Sequence, residues 1–132
     1  ETAEIWREIH NLVIPASPLS AEDVGERRQR HLLTVARVGG KTVGNATIRP
    51  PEDKSGTVTV IVRILPAYRN QGFGTSYLEA MLDRARSIGA AQIETVVLSA
   101  NEEGLRFAQR HGFTELERYV VDGAEYVDLV LA

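Results

Sequence analysis

Residues 57–98 constrain this chain more than any other stretch. Residues 57–65 read T-V-T-V-I-V-R-I-L, dense in β-branched side chains, and predict the strongest strand of the sequence. Pro66 stops it. Beyond Gly74 the apolar positions Leu78, Met81, Leu82, Ala85 and Ile88 recur at helical spacing, and Gly89 supplies a C-terminal stop. Residues 92–98 then read as a second buried strand. A strand, a helix and a strand in close succession form a crossover, which lays two strands side by side in parallel.

Hairpins flank this unit. Residues 31–38 and 41–49 are strand-like around Gly39-Gly40, and residues 113–121 and 124–131 around Asp122-Gly123. Ile5, Ile9, Leu12 and Val13 predict an amphipathic helix over 3–14, which Pro15 and Pro18 end. Ser20 is a good N-cap for a helix to about Arg30, and Asn101 opens another that ends near His111 and Gly112. The order ααβββαβαββ mixes one parallel crossover with antiparallel hairpins. It predicts an α/β (α+β) domain: a mixed central sheet with helices on its faces.

The 132 residues suit one domain over 1–132. A hydrophobic share of 43% and a charged share of 25% argue against disorder. The net charge of −3 is wrong for a general nucleic-acid binder. The chain has no cysteine, so disulfides, thiolate nucleophiles and Cys-ligated metals are excluded. No apolar run approaches the ~18 residues of a spanning helix, and no signal-peptide core is visible, so the cytoplasm is the default setting. Asn45-Ala46-Thr47 is a chance glycosylation sequon. The chain opens on Glu1 rather than Met, the mark of a processed product or a piece of something longer.

The chemistry lies between the strong strand and the strong helix, in P-A-Y-R-N-Q-G-F-G-T at 66–75. Gly72 and Gly74 let backbone pass close to a bulky group. The amides from about Gln71 to Thr75 are the free donors of a helix N-terminus, which favours phosphate, and Arg69 adds charge. A dinucleotide fingerprint needs glycine where Tyr77 stands, and a P-loop needs a lysine the segment lacks. Standing alone, Gly-x-Gly after a strand is often only a tight turn.

Two motifs together say more. Arg69-Asn70-Gln71-Gly72-Phe73-Gly74, preceded by Ile64-Leu65-Pro66, and then Asn101, Phe107 and Gly112-Phe113, resemble the two signature motifs of the GCN5-related N-acetyltransferase (GNAT) family at the usual separation. The resemblance implies acetyl-CoA as cofactor. Its pyrophosphate would lie on the amides of Asn70, Gln71, Gly72, Phe73, Gly74 and Thr75. Its pantetheine arm would hydrogen-bond to the backbone of Val62 and Ile64, in a gap where strand 57–65 splays from 92–98. Asn101 would reach the cofactor, although a plain N-cap role is also open to it. The Ile64 N–H would stabilise the oxyanion. Phe107 and Phe113 read as core.

The resemblance also exposes departures. The family often carries an acidic tyrosine where Ala108 stands, and a catalytic glutamate on a central strand. Here 57–65 holds no carboxylate, and 92–98 holds only Glu94 at its start. General acid–base catalysis is typically worth ~10²–10⁴ in rate, and proximity can contribute more. Ser99 and Tyr119 are the candidate substitutes. His10, His31 and His111 have no ligand spacing, and no metal site is expected. The run from Arg27 to Arg30 reads as a solvated helix end, with a contact to an acidic acceptor as its alternative. The family's acceptor site would here involve Glu22, Arg27, Tyr119 and Tyr126.

The family normally begins with a strand ahead of the first helix, and that strand is missing here. Residues Glu4 to Pro15 are also similar to the first-helix region of tandem two-domain acetyltransferases. The expected function is transfer of acetyl from acetyl-CoA to a primary amine of a small molecule or peptide, by direct attack in a ternary complex. The alternatives are a catalytically degenerate acyl-CoA-binding module and one half of a tandem acetyltransferase. A homo-oligomer or a second such domain is the partner that would cover the sheet edge. No membrane or nucleic-acid partner is expected.

Overall fold

The computed structural model describes residues 2–15 and 18–131. Along the chain run α1 (Thr2–Val13), α2 (Ala21–Arg30), β1 (Leu32–Val38), β2 (Lys41–Arg49), β3 (Thr57–Ile64), α3 (Phe73–Ser87), β4 (Gln92–Leu98), α4 (Glu102–Arg110), β5 (Phe113–Val121) and β6 (Ala124–Leu131). The expected order holds throughout. One short 3₁₀ turn, Pro66–Tyr68, was not legible in the sequence.

All six strands join one sheet in the order β1-β2-β3-β4-β6-β5. Only β3 and β4 are parallel, as the crossover through α3 requires; every other neighbour is antiparallel. Strand alternation divides the side chains between two faces. Ala46 and Ile48 of β2, Val58 and Val60 of β3, Ile93 of β4, and Val127 and Leu129 of β6 pack against Leu78, Met81, Leu82 and Ala85 of α3 and Ala108 of α4. The positions predicted for the apolar stripe of α3 are the ones buried. Ile88 is the exception: it lies past the last turn and is half exposed.

The opposite face meets α1. Trp6 is fully buried there, its Nε1 donating to the Ala46 carbonyl at 3.0 Å. In return Asn45 Nδ2 donates to the Trp6 carbonyl at 2.9 Å. Asn45 has no exposed surface, so the sequon it begins is closed to modification. Ser20 and Asp23 form a reciprocal capping box that starts α2.

A β-bulge interrupts the β5–β6 pairing between Glu115 and Glu117. Before it Glu115 opposes Leu129; after it Glu117 opposes Asp128 and Tyr119 opposes Tyr126. The bulge reverses the facing of β5 and brings Tyr119 onto the α1 side of the sheet. Among the described residues no helix is long and apolar enough to cross a membrane.

Candidate functional site

The β3–β4 ladder is short. Pairing covers Thr57–Gln92, Val58–Ile93 and Thr59–Glu94 and then stops, although β3 runs on to Ile64 and β4 to Leu98. Beyond Thr59 the two strands splay, leaving a gap in the centre of the sheet. The Leu65 N–H donates to the Val43 carbonyl on the β2 side at 2.8 Å. Successive residues of a strand point their amides to alternate sides. The backbone groups of Ile64 and Val62 therefore face the gap.

Two adjoining cavities open on this gap. The first, about 310 Å³, lies at the N-terminus of α3 and is lined by Val62, Ile64, Arg69, Asn70, Gly72, Gly74, Thr75 and Asn101 among others. Those are eight of the ten residues expected to hold a cofactor. Gln71 and Phe73 are not in its lining; the Gln71 side chain turns back to the Ala67 carbonyl at 3.3 Å. The second cavity, about 860 Å³, lies toward α1 and α2. Val62, Arg63, Asn101 and Phe107 are among the residues that line both, so the two cavities meet at the gap.

Local backbone chemistry explains the first cavity. Asn70 and Gly72 have φ of 62° and 87°, in the left-handed region. A Cβ at Gly72 would meet no atom within 4 Å, so glycine serves the backbone angle there. At Gly74 the requirement is space: a Cβ would come within 3.2 Å of the Phe107 ring. Gly72 is the N-cap of α3 and offers no side-chain hydrogen bond. By contrast, α2 is capped by Ser20 and α4 by Asn101. The first amides of α3 thus keep their donors free beside the cavity.

The surrounding side chains are partly committed. Arg69 Nε donates to the Ile64 carbonyl at 2.9 Å, and its Nη1 lies 3.4 Å from Glu103, so it braces the loop against β3 and α4. Asn101 Oδ1 accepts from the Gly104 N–H at 3.0 Å, the plain capping bond considered for it. The Thr75 hydroxyl and His111 Nε2 are 3.1 Å apart, while His111 Nδ1 lies 2.8 Å from the Phe107 carbonyl. His111 is thereby a held structural residue. Phe113 is core, as expected, whereas Phe107 is half-buried and lines both cavities.

The two candidate proton donors fare differently. Tyr119 lines the second cavity and donates from its hydroxyl to Asp128 Oδ1 at 2.8 Å. Burial and that hydrogen bond push the phenol up to about 12. Ser99 lines neither cavity, and its N–H donates to the Glu125 carbonyl at 3.0 Å, tying β4 to the last hairpin. Arg27 and Tyr126 line the second cavity with Tyr119; Glu22 is exposed and outside it. Ala108, where the family often carries tyrosine, is buried beside the second cavity.

Three of the lining residues that the sequence reading did not place in the site are polar and at least half-buried. His10 is buried and stacked on Trp6 with ring centroids 5.3 Å apart; burial and nearby Arg63 pull its imidazole down to about 4. Arg63 is only 8% exposed, and Arg49 is half-buried. The clue was present: Arg63 is the one charged residue inside T-V-T-V-I-V-R-I-L. Among the described residues no cluster of His, Cys, Asp and Glu could hold a metal.

Comparison with known proteins agrees with this geometry. The model of the acetyltransferase (GNAT) family matches residues 2–113. L-methionine sulfoximine/L-methionine sulfone acetyltransferases of Pseudomonas paraeruginosa and Pseudomonas aeruginosa are 29% identical over 115 residues, which is 85% of this chain. The match spans 66% of their length, just under two thirds. The fold is shared with Ard1 from Thermoplasma volcanium (TM-score 0.83, 16% identity, 99% of this chain and 92% of that one). It is shared also with a Bacillus subtilis acetyltransferase solved with CoA (TM-score 0.77, 20% identity, 99% and 93%). The sheet gap, the uncapped α3 and the family match over most of its length agree: this chain belongs to the acetyltransferase (GNAT) family.

Proposed function

We propose that this chain is an N-acetyltransferase that moves acetyl from acetyl-CoA to a primary amine, with both substrates bound together. One conjunction carries the reading: the β3–β4 ladder opens beside the N-terminus of α3, which lacks a side-chain cap where α2 and α4 each have one. The residues fit the co-substrate. The amides of the Asn70–Thr75 segment offer donors to its pyrophosphate, Val62 offers backbone bonds to its pantetheine arm, the Ile64 N–H faces the thioester carbonyl, and Asn101 lines the first cavity. Acetyl-CoA supplies the activated acyl group as a thioester. The amine lone pair forms the new N–C bond, the C–S bond breaks, the sulfur leaves as thiolate, and the nitrogen gives one proton to water.

A thiol of solution pKa near ~8.5 leaves without an acid. Tyr119, held near 12 and bonded to Asp128, is a poor donor in any case. Transfer then rests on placement of the amine and on the Ile64 N–H facing the developing oxyanion. Tyr119→Phe therefore lowers kcat by less than about tenfold, below the usual effect of losing a general acid. Ser99→Ala leaves kcat unchanged. A hundredfold loss in either variant would return that residue to a proton-transfer role.

A small-molecule acceptor is supported by the relatives that act on L-methionine sulfoximine and L-methionine sulfone. The direct test incubates the protein with acetyl-CoA and a panel of primary amines and follows CoA release. No release above background with any amine counts against the enzyme. The second reading, an acyl-CoA-binding module without turnover, is favoured by Ala108 in the tyrosine position. Calorimetric CoA binding without any turnover would support it.

A further inference from the structure

Three arginines converge on the second cavity, and none of them forms an ion pair among the described residues. Arg27 reaches it from α2, Arg49 from the end of β2 and Arg63 from β3. On the sheet, Asn45 opposes Arg63 and Arg49 opposes Thr59, so strand alternation sends both arginines to the α1 side. The ion pairs among the described residues involve Arg7, Arg30, Arg69, Arg86, Arg106 and Arg118, but none of these three. The Nε atoms of Arg49 and Arg63 are buried and have no hydrogen-bond partner. Among the described residues, Arg63 Nη1 donates to Asn45 Oδ1 at 3.3 Å, and the guanidinium stands 5.7 Å over the Trp6 ring.

Burying these cations together is costly. Burial lowers the guanidinium pKa of both Arg49 and Arg63, and each of the two also feels repulsion from Arg27. Arg63, brought down to about 9, is still a cation at neutral pH. Glu52 and Asp128 act on Arg49 through space, but neither comes within ion-pair distance, and Asp128 already accepts from Tyr119. A buried cation is normally paired, and the chain has eighteen acidic residues from which to supply a partner. None of the described ones comes within ion-pair distance here.

We propose that the acceptor is an amino acid whose carboxylate is bound by Arg49 and Arg63, with Arg27 completing the charge at the mouth of the cavity. A planar guanidinium presents paired N–H donors that match a carboxylate bidentately, which a lysine would not do. The position also suits the chemistry. Arg63 lines both cavities, so an anion held there keeps the amine of the same molecule near the sheet gap. Cations close to that amine favour its neutral, nucleophilic form. The cluster thus does part of the work of the glutamate that β3 lacks. This inference rests on the acetyltransferase reading above.

The test separates the two claims. CoA binding is measured first by calorimetry; its absence overturns both. With CoA binding established, turnover is compared across amino acids, their carboxamides and the matching decarboxylated amines. The expected result is a preference for the free carboxylate in kcat/KM. Arg49→Gln should raise KM for the preferred amino acid roughly tenfold to a hundredfold, the usual effect of losing a charged hydrogen bond, and shrink the preference over its amide. Arg49→Lys should recover only part. Arg28→Gln, on the exposed side of α2, is the charge control and should change neither. Equal or better turnover of amides and simple amines overturns the inference and leaves the enzyme standing. If nothing turns over, amino acids are titrated into the CoA complex: binding lost in Arg49→Gln supports the site, and no binding overturns it.

Discussion

At the scale of single residues, the interior facing α1 is set by a few polar groups with assigned partners. His10 is the clearest. Its imidazole is held neutral, near 4 against an ordinary 6.5, by burial and by Arg63. The unfolded chain therefore binds more protons between those values, and stability falls as pH drops from about 6.5 to 4. The full effect is about 3 kcal/mol. In His10→Phe that contribution is absent, so urea midpoints followed from pH 7 to pH 4 should fall less steeply than in the parent. Parallel curves would mean that the ring titrates normally. Gly72 gives a second residue-scale expectation. Any Cβ there meets open space but forces a left-handed backbone, so Gly72→Val costs roughly 1–2 kcal/mol in stability. Because Gly72 also lines the first cavity, the Kd for CoA should rise more than tenfold, measured by calorimetry.

At the scale of elements, the site depends on how β2, β3 and α2 are held. Gly44 opposes Ile64, and a Cβ on it would lie 2.2 Å from the Arg63 carbonyl oxygen. Gly44→Ala must push β2 off β3, and a loss of roughly 3 kcal/mol in chemical denaturation is expected. A loss under 0.5 kcal/mol would mean the strands yield more easily than their pairing suggests. The α2 cap acts more locally. Ser20→Ala removes one half of the capping box, at about 1 kcal/mol. Elements were also what the sequence revealed best. The apolar stripe of α3, the caps Ser20 and Asn101, and the turns at Gly39-Gly40 and Asp122-Gly123 all announce themselves locally, because capping and turn chemistry involve residues only a few positions apart.

At the scale of the whole molecule, ligand binding and folding are linked. CoA at about 100 times its Kd should add ~2.7 kcal/mol to stability, a rise in Tm on the order of 10 °C. No shift at millimolar CoA would remove the co-substrate site. The sequence by itself determined the element order, the parallel crossover and the loop that leaves α3 without a side-chain cap, since each depends on neighbours along the chain. Only the tertiary structure decided the rest. Arg63 looked like an odd charge in an apolar strand until β2 and α2 brought Arg49 and Arg27 to the same cavity. Tyr119 reached that face through a bulge that strand periodicity does not announce, and Ser99 was kept out of the cavities. A cavity is built from residues far apart in sequence, and one extra residue in a strand reverses which side chains it receives.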